Sequence, residues 1–274
     1  MSTKYSFIGV GNIAKAFISA MASLEGKLKA EHGDIYLYDK NSSQTDSFAK
    51  DGYNICGSIR ECVQASDFIF LCVKPQNNRE VLEEIKETAP DTDSKTFVSV
   101  AAGISTEQIC KCLGRDCAVI RTMPNTPMTI GCGVCAVCRN DYVDTKKFER
   151  ICRIFSAKAE LLVLDESQMN AIIGITGSSP AYVYKFIDAL YDSAISEGLD
   201  DPKMLEAICK VFIGSAQMVL SLDTDIKQLI KAVKSPNGTT EKALDVFEAE
   251  DFDGMVMRAV KACNKRADTL GDEM

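Results

Sequence analysis

The tightest constraint on the fold lies near the start of the chain. The apolar stretch Tyr5 to Ile8 runs directly into Gly9-Val10-Gly11-Asn12-Ile13-Ala14. Beyond it, Ile13, Phe17, Ala20, Met21 and Leu24 recur at helical spacing. The pattern predicts a buried strand, a sharp turn and an amphipathic helix. In the G-x-G-x-x-A arrangement Gly9 permits the tight turn, Gly11 lets a pyrophosphate approach the backbone, and Ala14 is small enough for the helix to pack on the strand. The helix N-terminus then offers unpaired N–H groups to phosphate. Glycines also turn chains for no functional reason, so it is the setting between strand and helix that makes this a dinucleotide-site candidate.

The same alternation repeats along the chain. Asp34 to Asp39 reads as a second strand whose last residue falls where such a fold places the group facing the adenosine ribose. An acidic residue there favours a free 2′-hydroxyl, whereas Lys40, Asn41, Ser42 and Ser43 could hold a 2′-phosphate. Ser58 to Ala65 reads as a short helix and Asp67 to Val73 as a continuous apolar strand, as buried parallel strands are. The strand ends in Val73-Lys74-Pro75-Gln76. Arg79 to Glu87 is helical, and Thr96 to Gly103 is a strand ending in small residues that a flat ring could approach. A helix capped by Ser105 or Thr106 ends at Leu113-Gly114. Cys117 to Met123, Gly131 to Cys138 and Glu160 to Leu164 are further strands, with a helix over Thr145 to Phe155. Repeated β-α units imply an α/β fold with a doubly wound, mostly parallel sheet over 1–164.

From 165 to 274 only helices are expected. Ser179-Pro180 opens one that closes before Gly198, with Val183, Phe186, Ile187, Leu190, Ala194 and Ile195 on one stripe. The helix after Pro202 is apolar nearly all round, which requires burial on most sides. A helical domain of ~110 residues supplies limited cover, so a second subunit is expected to provide it. Ser235-Pro236-Asn237-Gly238-Thr239-Thr240 then feeds a helix beginning at Glu241. Its backbone N–H groups and two hydroxyls have the form of a carboxylate or phosphate receptor, and equally of any well-capped helix.

Composition narrows the partners. The net charge of −8 and the lack of a basic tract argue against nucleic acid. No apolar run approaches the ~20 residues of a membrane span, and no membrane partner is expected. Lys4 and Ala20-Met21-Ala22 superficially resemble a signal peptide, but Gly9, Gly11, Asn12 and Lys15 break the apolar run. The twelve cysteines are scattered, as small apolar residues of a reducing cytoplasm would be. Cys132-x-x-Cys135-x-x-Cys138 could indicate a cluster, but Tyr142 and Val143 stand where an iron–sulfur run would have Cys-Pro. The one histidine, His32, lies in a different segment. No metal is expected.

Together these motifs identify a resemblance. Phe7 to Ala14, Val73-Lys74-Pro75, Ser99 to Gly103, Arg121 to Pro127, Gly174 to Tyr182, and Ser235 to Thr240 followed by Ala243-Leu244 occur in the order found in pyrroline-5-carboxylate reductases. The chain resembles that family along nearly its whole length. The resemblance implies a Rossmann domain followed by an all-helical substrate-binding and dimerisation domain, assembled as a homodimer or a multiple of dimers. It implies reduction of the cyclic imine of 1-pyrroline-5-carboxylate to L-proline, the last step of proline biosynthesis, with NADPH or NADH.

Carried over by position, Ile8, Gly9, Val10, Gly11, Asn12 and Ile13 would wrap the pyrophosphate, with Asp39, Lys40 and Asn41 near the adenosine ribose. Cys72, Val73, Lys74, Pro75, Val100, Ala101 and Ala102 would line the nicotinamide side. Ser235, Asn237, Gly238, Thr239 and Thr240 would hold the substrate carboxylate, with the Thr240 hydroxyl near the ring nitrogen as the catalytic candidate. Glu166 would border the same site. The family usually has Gly-Gly after the proline where this chain has Asn237-Gly238. Lys234 replaces a small residue before the serine, and Ala232 stands where many relatives carry an amide. A β-hydroxyacid dehydrogenase would want a glycine at Ser179 and a lysine at Val183. Another imine reductase of the same architecture, or a dinucleotide sensor, are the other readings.

Overall fold

Strands β1 (Tyr5–Ile8), β4 (Phe68–Leu71) and β5 (Thr96–Ser99) are buried along their whole length in the computed structural model, which describes residues 2–273. They form the centre of an eight-stranded sheet completed by β2 (Ile35–Tyr38), β3 (Asn54–Ile55), β6 (Ala118–Pro124), β7 (Gly133–Arg139) and β8 (Ala159–Val163). The order is β3-β2-β1-β4-β5-β6-β7-β8. Strand alternation sends Phe7 and Phe70 to one face and Ile8, Ile69 and Leu71 to the other, each into its own apolar core. Phe7 stacks on Phe70 at 4.4 Å, and Phe17 meets Phe155 at 4.6 Å. Helices cover both faces, as a parallel sheet requires.

These helices are α1 (Asn12–Ala22), α2 (Asp46–Lys50), α3 (Ile59–Ala65), α4 (Asn78–Thr88), α5 (Thr106–Leu113) and α6 (Thr145–Ser156). Ser58, Ser105 and Asp144 cap α3, α5 and α6 through side-chain oxygens that accept backbone N–H groups. Gly114 ends α5 in the left-handed conformation at φ +71°. All strand pairs are parallel save β6–β7, which is antiparallel. The connection between those two is a single 3₁₀ segment, Thr126–Ile130. It is too short to carry a crossover helix, so the chain must turn back.

Beyond β8 the chain is helical: α7 (Ser179–Ser196), α8 (Met204–Ser221), α9 (Ile226–Val233), α10 (Thr239–Ala249) and α11 (Phe252–Asp272). Packing divides the chain into a unit of residues 1–178 and 262–274 and a unit of 179–261. Strands thus end near 164, while the first compact unit continues through 178 and takes in the end of α11.

The second unit has almost no interior. Phe186, Phe212, Phe247 and Phe252 form an aromatic cluster. Yet Ile208 is the one hydrophobic side chain among its described residues that is buried. Val211, Ile213 and Met218 remain more than half exposed. By length and composition alone α8 is also long and apolar enough to cross a membrane, with mean hydropathy 1.4. Glu206 and Lys210 split its apolar residues into shorter runs, which conceals this when runs alone are read.

Two sequence candidates resolve into structural residues. His32 stacks on Tyr53 at 4.2 Å, and its Nδ1 lies 2.5 Å from the Asp51 carbonyl oxygen. Cys135 and Cys138 sit in separate apolar clusters, as residues three apart on a strand must.

Candidate active site

The turn after β1 is held from three sides. Gly9 has φ +90°, and a Cβ there would stand 2.9 Å from the Cys72 carbonyl carbon and oxygen at the end of β4. Its N–H donates to the Tyr38 carbonyl at the end of β2, and the Cys72 N–H donates to Ile8. Val10 N–H donates 2.7 Å to Asp39 Oδ2, while Asn41 N–H donates 2.9 Å to Oδ1 of the same carboxylate. Both Asp39 oxygens therefore brace backbone, the first across the glycine turn. The Asn41 side chain accepts from the Ser43 N–H and hydroxyl. Lys40 is exposed, with Nζ 3.6 Å from Glu80.

Gly11 differs from Gly9. It caps α1 with no side-chain acceptor, and a Cβ built on it would meet nothing within 4 Å. Open space thus lies over a helix N-terminus that presents unpaired N–H groups, the cradle a pyrophosphate needs. The strand ends fix what surrounds it. Val100 N–H donates to the Leu71 carbonyl, and Ala101 N–H donates to the Ser99 hydroxyl. Burial pushes the Cys72 thiol up, so it stays protonated. Lys74 is exposed and Pro75 half-buried, opening a 3₁₀ turn over Pro75–Asn77. Ile8 to Ile13, Asp39 to Asn41, Cys72 to Pro75 and Val100 to Ala102 therefore lie at the carboxyl ends of adjacent strands. That is where an α/β sheet reverses direction and collects ligands. Gly103, next along, has a different reason to be small. At φ +80°, a Cβ built on it would collide with the Ala267 carbonyl oxygen of α11.

Glu166 is built into the same unit as part of a network. Its Oε1 accepts from the Arg121 guanidinium at 3.0 Å and from the Thr106 N–H at 3.2 Å. Its Oε2 accepts from the Thr106 hydroxyl at 2.9 Å and from the Cys138 thiol at 3.5 Å. Burial first, and the Glu166 charge next, push Cys138 up to about 12, so this thiol remains a donor. Arg121 is 4% exposed and also donates to Asn170, which donates in turn to Asp268. Arg121 opens one of the quoted motifs, but the motifs do not reveal that it and Thr106 both bond Glu166. A charged residue inside the apolar strand Ala118–Pro124 is the signal, because a buried guanidinium demands an anion.

The Ser235–Thr240 turn belongs to the other unit. Asn237 adopts φ +56°, the left-handed conformation asparagine tolerates best after glycine. Gly238 is required differently: a Cβ there would collide with the Ser235 hydroxyl. Glu241 organises the turn, its Oε2 accepting the Asn237 N–H at 2.7 Å and its Oε1 lying 3.3 Å from Lys234 Nζ. Lys234 is thereby paired. Glu241 also takes one N–H that the sequence alone leaves for substrate. Gly238 caps α10 without a side-chain acceptor, so the first amides of that helix lack an intrahelical or side-chain cap partner. An acidic residue in the first turn of α10 is the available signal for Glu241.

Comparison with known proteins agrees with this layout. A family model described as pyrroline-5-carboxylate reductase dimerisation matches residues 166–270, and one described as NADP oxidoreductase, coenzyme F420-dependent, matches residues 4–103. Pyrroline-5-carboxylate reductase of Escherichia coli K12 is 34% identical, the match covering 98% of this chain and 99% of the relative. The chain belongs to the pyrroline-5-carboxylate reductase family. Solved structures of two members superpose along it. Plasmodium falciparum pyrroline carboxylate reductase with NADP bound gives a TM-score of 0.86 at 26% identity, covering 98% of each chain. The Coxiella burnetii pyrroline-5-carboxylate reductase gives 0.82 at 29% identity, covering 98% of this chain and 99% of that one. The N-terminal unit is the family's Rossmann-like part, and the coreless helices fall inside its dimerisation match. That match supports a homo-oligomer.

Proposed function

We propose that the chain reduces the C=N bond of 1-pyrroline-5-carboxylate to give L-proline, with NADPH or NADH as reductant. Full-length identity with a reductase of that name carries the reading. The site's chemistry supports it. The bound dinucleotide supplies a hydride to the imine carbon. The open cradle over Gly11 and the α1 N-terminus fits its pyrophosphate, with Ile8 to Ile13 wrapping that group. Cys72 to Pro75 and Val100 to Ala102 border the nicotinamide side, and Asp39 holds the turn in shape for it.

The Ser235–Thr240 turn takes the substrate carboxylate through backbone N–H groups of Thr239 and Thr240, with Ser235, Asn237 and Gly238 setting its form. The Thr240 hydroxyl hydrogen-bonds the ring nitrogen in this reading. Glu166 is oriented by Arg121 and Thr106 within its own unit. A substrate that arrives as an iminium asks little of a general acid, and a neutral threonine is a poor one. The main task is to bring donor and acceptor together, worth ~7–11 kcal/mol in favourable cases. The working form is a homodimer or a multiple of dimers, with residues 165–274 as the substrate and dimerisation domain and 1–164 as the dinucleotide domain. Twelve unpaired cysteines suit a reducing cytoplasm.

The test is reduced-dinucleotide oxidation, followed by absorbance, with 1-pyrroline-5-carboxylate, running NADPH and NADH side by side. Turnover that yields proline supports the reading. A folded oligomer that binds dinucleotide but leaves this substrate unchanged would refute it.

A further inference from the structure

Cys110 and Cys117 bring their sulfurs to 3.4 Å of each other at the far end of α5 from Thr106. The backbone around them is fixed. Gly114 N–H donates to Lys111, and Arg115 N–H donates to the carbonyl of Cys110 itself, so the tight turn returns the chain directly beneath the helix. Asn140 clamps the other side: its side-chain N–H donates 2.9 Å to the Cys117 carbonyl and 3.7 Å to the Cys110 sulfur, while its Oδ1 accepts from Val119 N–H. Cys117 is 5% exposed and Cys110 half-buried. An accessible sulfur is thus backed by a buried one, with an amide donor aimed at the accessible sulfur.

We propose that Cys110 and Cys117 are a reversible modification site, a dithiol that low-molecular-weight disulfides oxidise to an intramolecular disulfide. The Cys110 thiolate attacks one sulfur of the small disulfide, whose S–S bond breaks and releases a thiolate that takes up a proton. The Cys117 thiol then loses its proton and attacks the Cys110 sulfur, forming the protein S–S bond and releasing the second small thiol. Two electrons pass from the protein pair to the small disulfide, and two small thiols result. The order of attack follows from access, since Cys110 is half-buried and Cys117 is 5% exposed. Hydrogen bonding from Cys117 draws Cys110 down to about 7, while the same bond and burial drive Cys117 upward. Cys110 is therefore the nucleophile and Cys117 the resolving thiol.

The experiment equilibrates the native oligomer in glutathione buffers of rising oxidised fraction, quenches with an alkylating agent and maps tryptic peptides. Cleavage after Lys111 and Arg115 puts Cys110 in the peptide 96–111, Cys112 alone in 112–115 and Cys117 in 116–121. The expected product is the 96–111/116–121 cross-link, at least about tenfold above any other cysteine pair and reversed by dithiothreitol. Cys117→Ser should instead stop at a glutathione mixed disulfide on Cys110, and Cys110→Ser should remove both products. Full alkylation of both thiols across the series would overturn the proposal. So would a wild-type mixed disulfide on Cys110 with Cys117 still free, or a cross-link through Cys112. The wild-type map decides even if neither variant folds.

Discussion

The two glycines of the first turn should fail in opposite ways when each is replaced by alanine. At Gly9 the backbone has φ +90°, and the added Cβ would lie 2.9 Å from the Cys72 carbonyl carbon and oxygen and 3.0 Å from Val73 N. All three atoms are backbone, so relief means moving the end of β4. A positive φ costs an L-residue roughly 1–2 kcal/mol, and overpacking adds about 1–3 kcal/mol. Lower unfolded-state entropy returns ~0.4–1 kcal/mol. The balance is a loss of about 1–4.6 kcal/mol, or roughly 2–18 °C in melting temperature for a unit of this size. Gly11→Ala meets no atom and no forbidden φ. Its small N-cap penalty is offset by the same entropy gain, so stability should stay within about 0.5 kcal/mol. Its Cβ enters the cradle instead, and a misfit of ~1–3 kcal/mol weakens dinucleotide binding roughly 5- to 150-fold. Thermal melts at one fixed protein concentration and fluorescence titration with reduced dinucleotide separate the two effects. The reasoning is refuted if Gly11→Ala melts as early as Gly9→Ala, or if it binds dinucleotide within about twofold of wild type.

Asp39→Asn removes the charge from two backbone hydrogen bonds and should lower kcat/KM for NADPH and NADH together. A shift of more than about tenfold in their ratio would instead make Asp39 a ribose selector. Glu166→Gln leaves the Arg121 guanidinium, 4% exposed, without its anion. Because the Glu166 side chain is itself 35% exposed, the expected loss is about 2–4 kcal/mol by chemical denaturation, partly recovered in Arg121→Met/Glu166→Gln. Ile213→Asp, on the exposed apolar surface of α8, should weaken subunit association about 100-fold or more, read by light scattering across a dilution series. Alkylation of Cys110 should accelerate from about pH 6 to 8 and then level off, since its lowered pKa means more thiolate above 7. Cys117, shifted upward, should stay unreactive over that range, and equal pH profiles for the two would contradict the assignment.

Much of the fold is legible in the sequence because apolar patterning runs through the chain. The continuous apolar runs of β1 and β4 and the helical spacing from Ile13 to Leu24 fix a strand–turn–helix and a sheet buried on both faces. Strand direction is not written in such patterns: nothing within Gly133 to Arg139 says it runs against β6. A short connection does, once strand order is known. Strand β3, of two residues, and the five-residue α2 carry too few positions for a period to register. The site is legible by position but less so by role. Asp39 stands where ribose recognition is expected, yet its partners are the Val10 and Asn41 amides, a consequence of how closely the turns approach. Lys234 reads as an intruder until the first turn of α10 brings Glu241 within reach. Partners of that kind depend on backbone geometry rather than residue type.

The near absence of a private core in residues 179–261 reaches beyond assembly, into inheritance. If a second copy covers these helices, as the dimerisation match implies, the fitness of one allele depends on what else is expressed beside it. A variant damaged at the dinucleotide turn but sound in α7 and α8 would still be recruited into mixed oligomers. It would dilute working sites in proportion to its dosage. One damaged in α8 would not find partners and would be cleared as unfolded chain, a recessive lesion. The same gene thus carries two genetic behaviours, divided along the boundary between the two compact units.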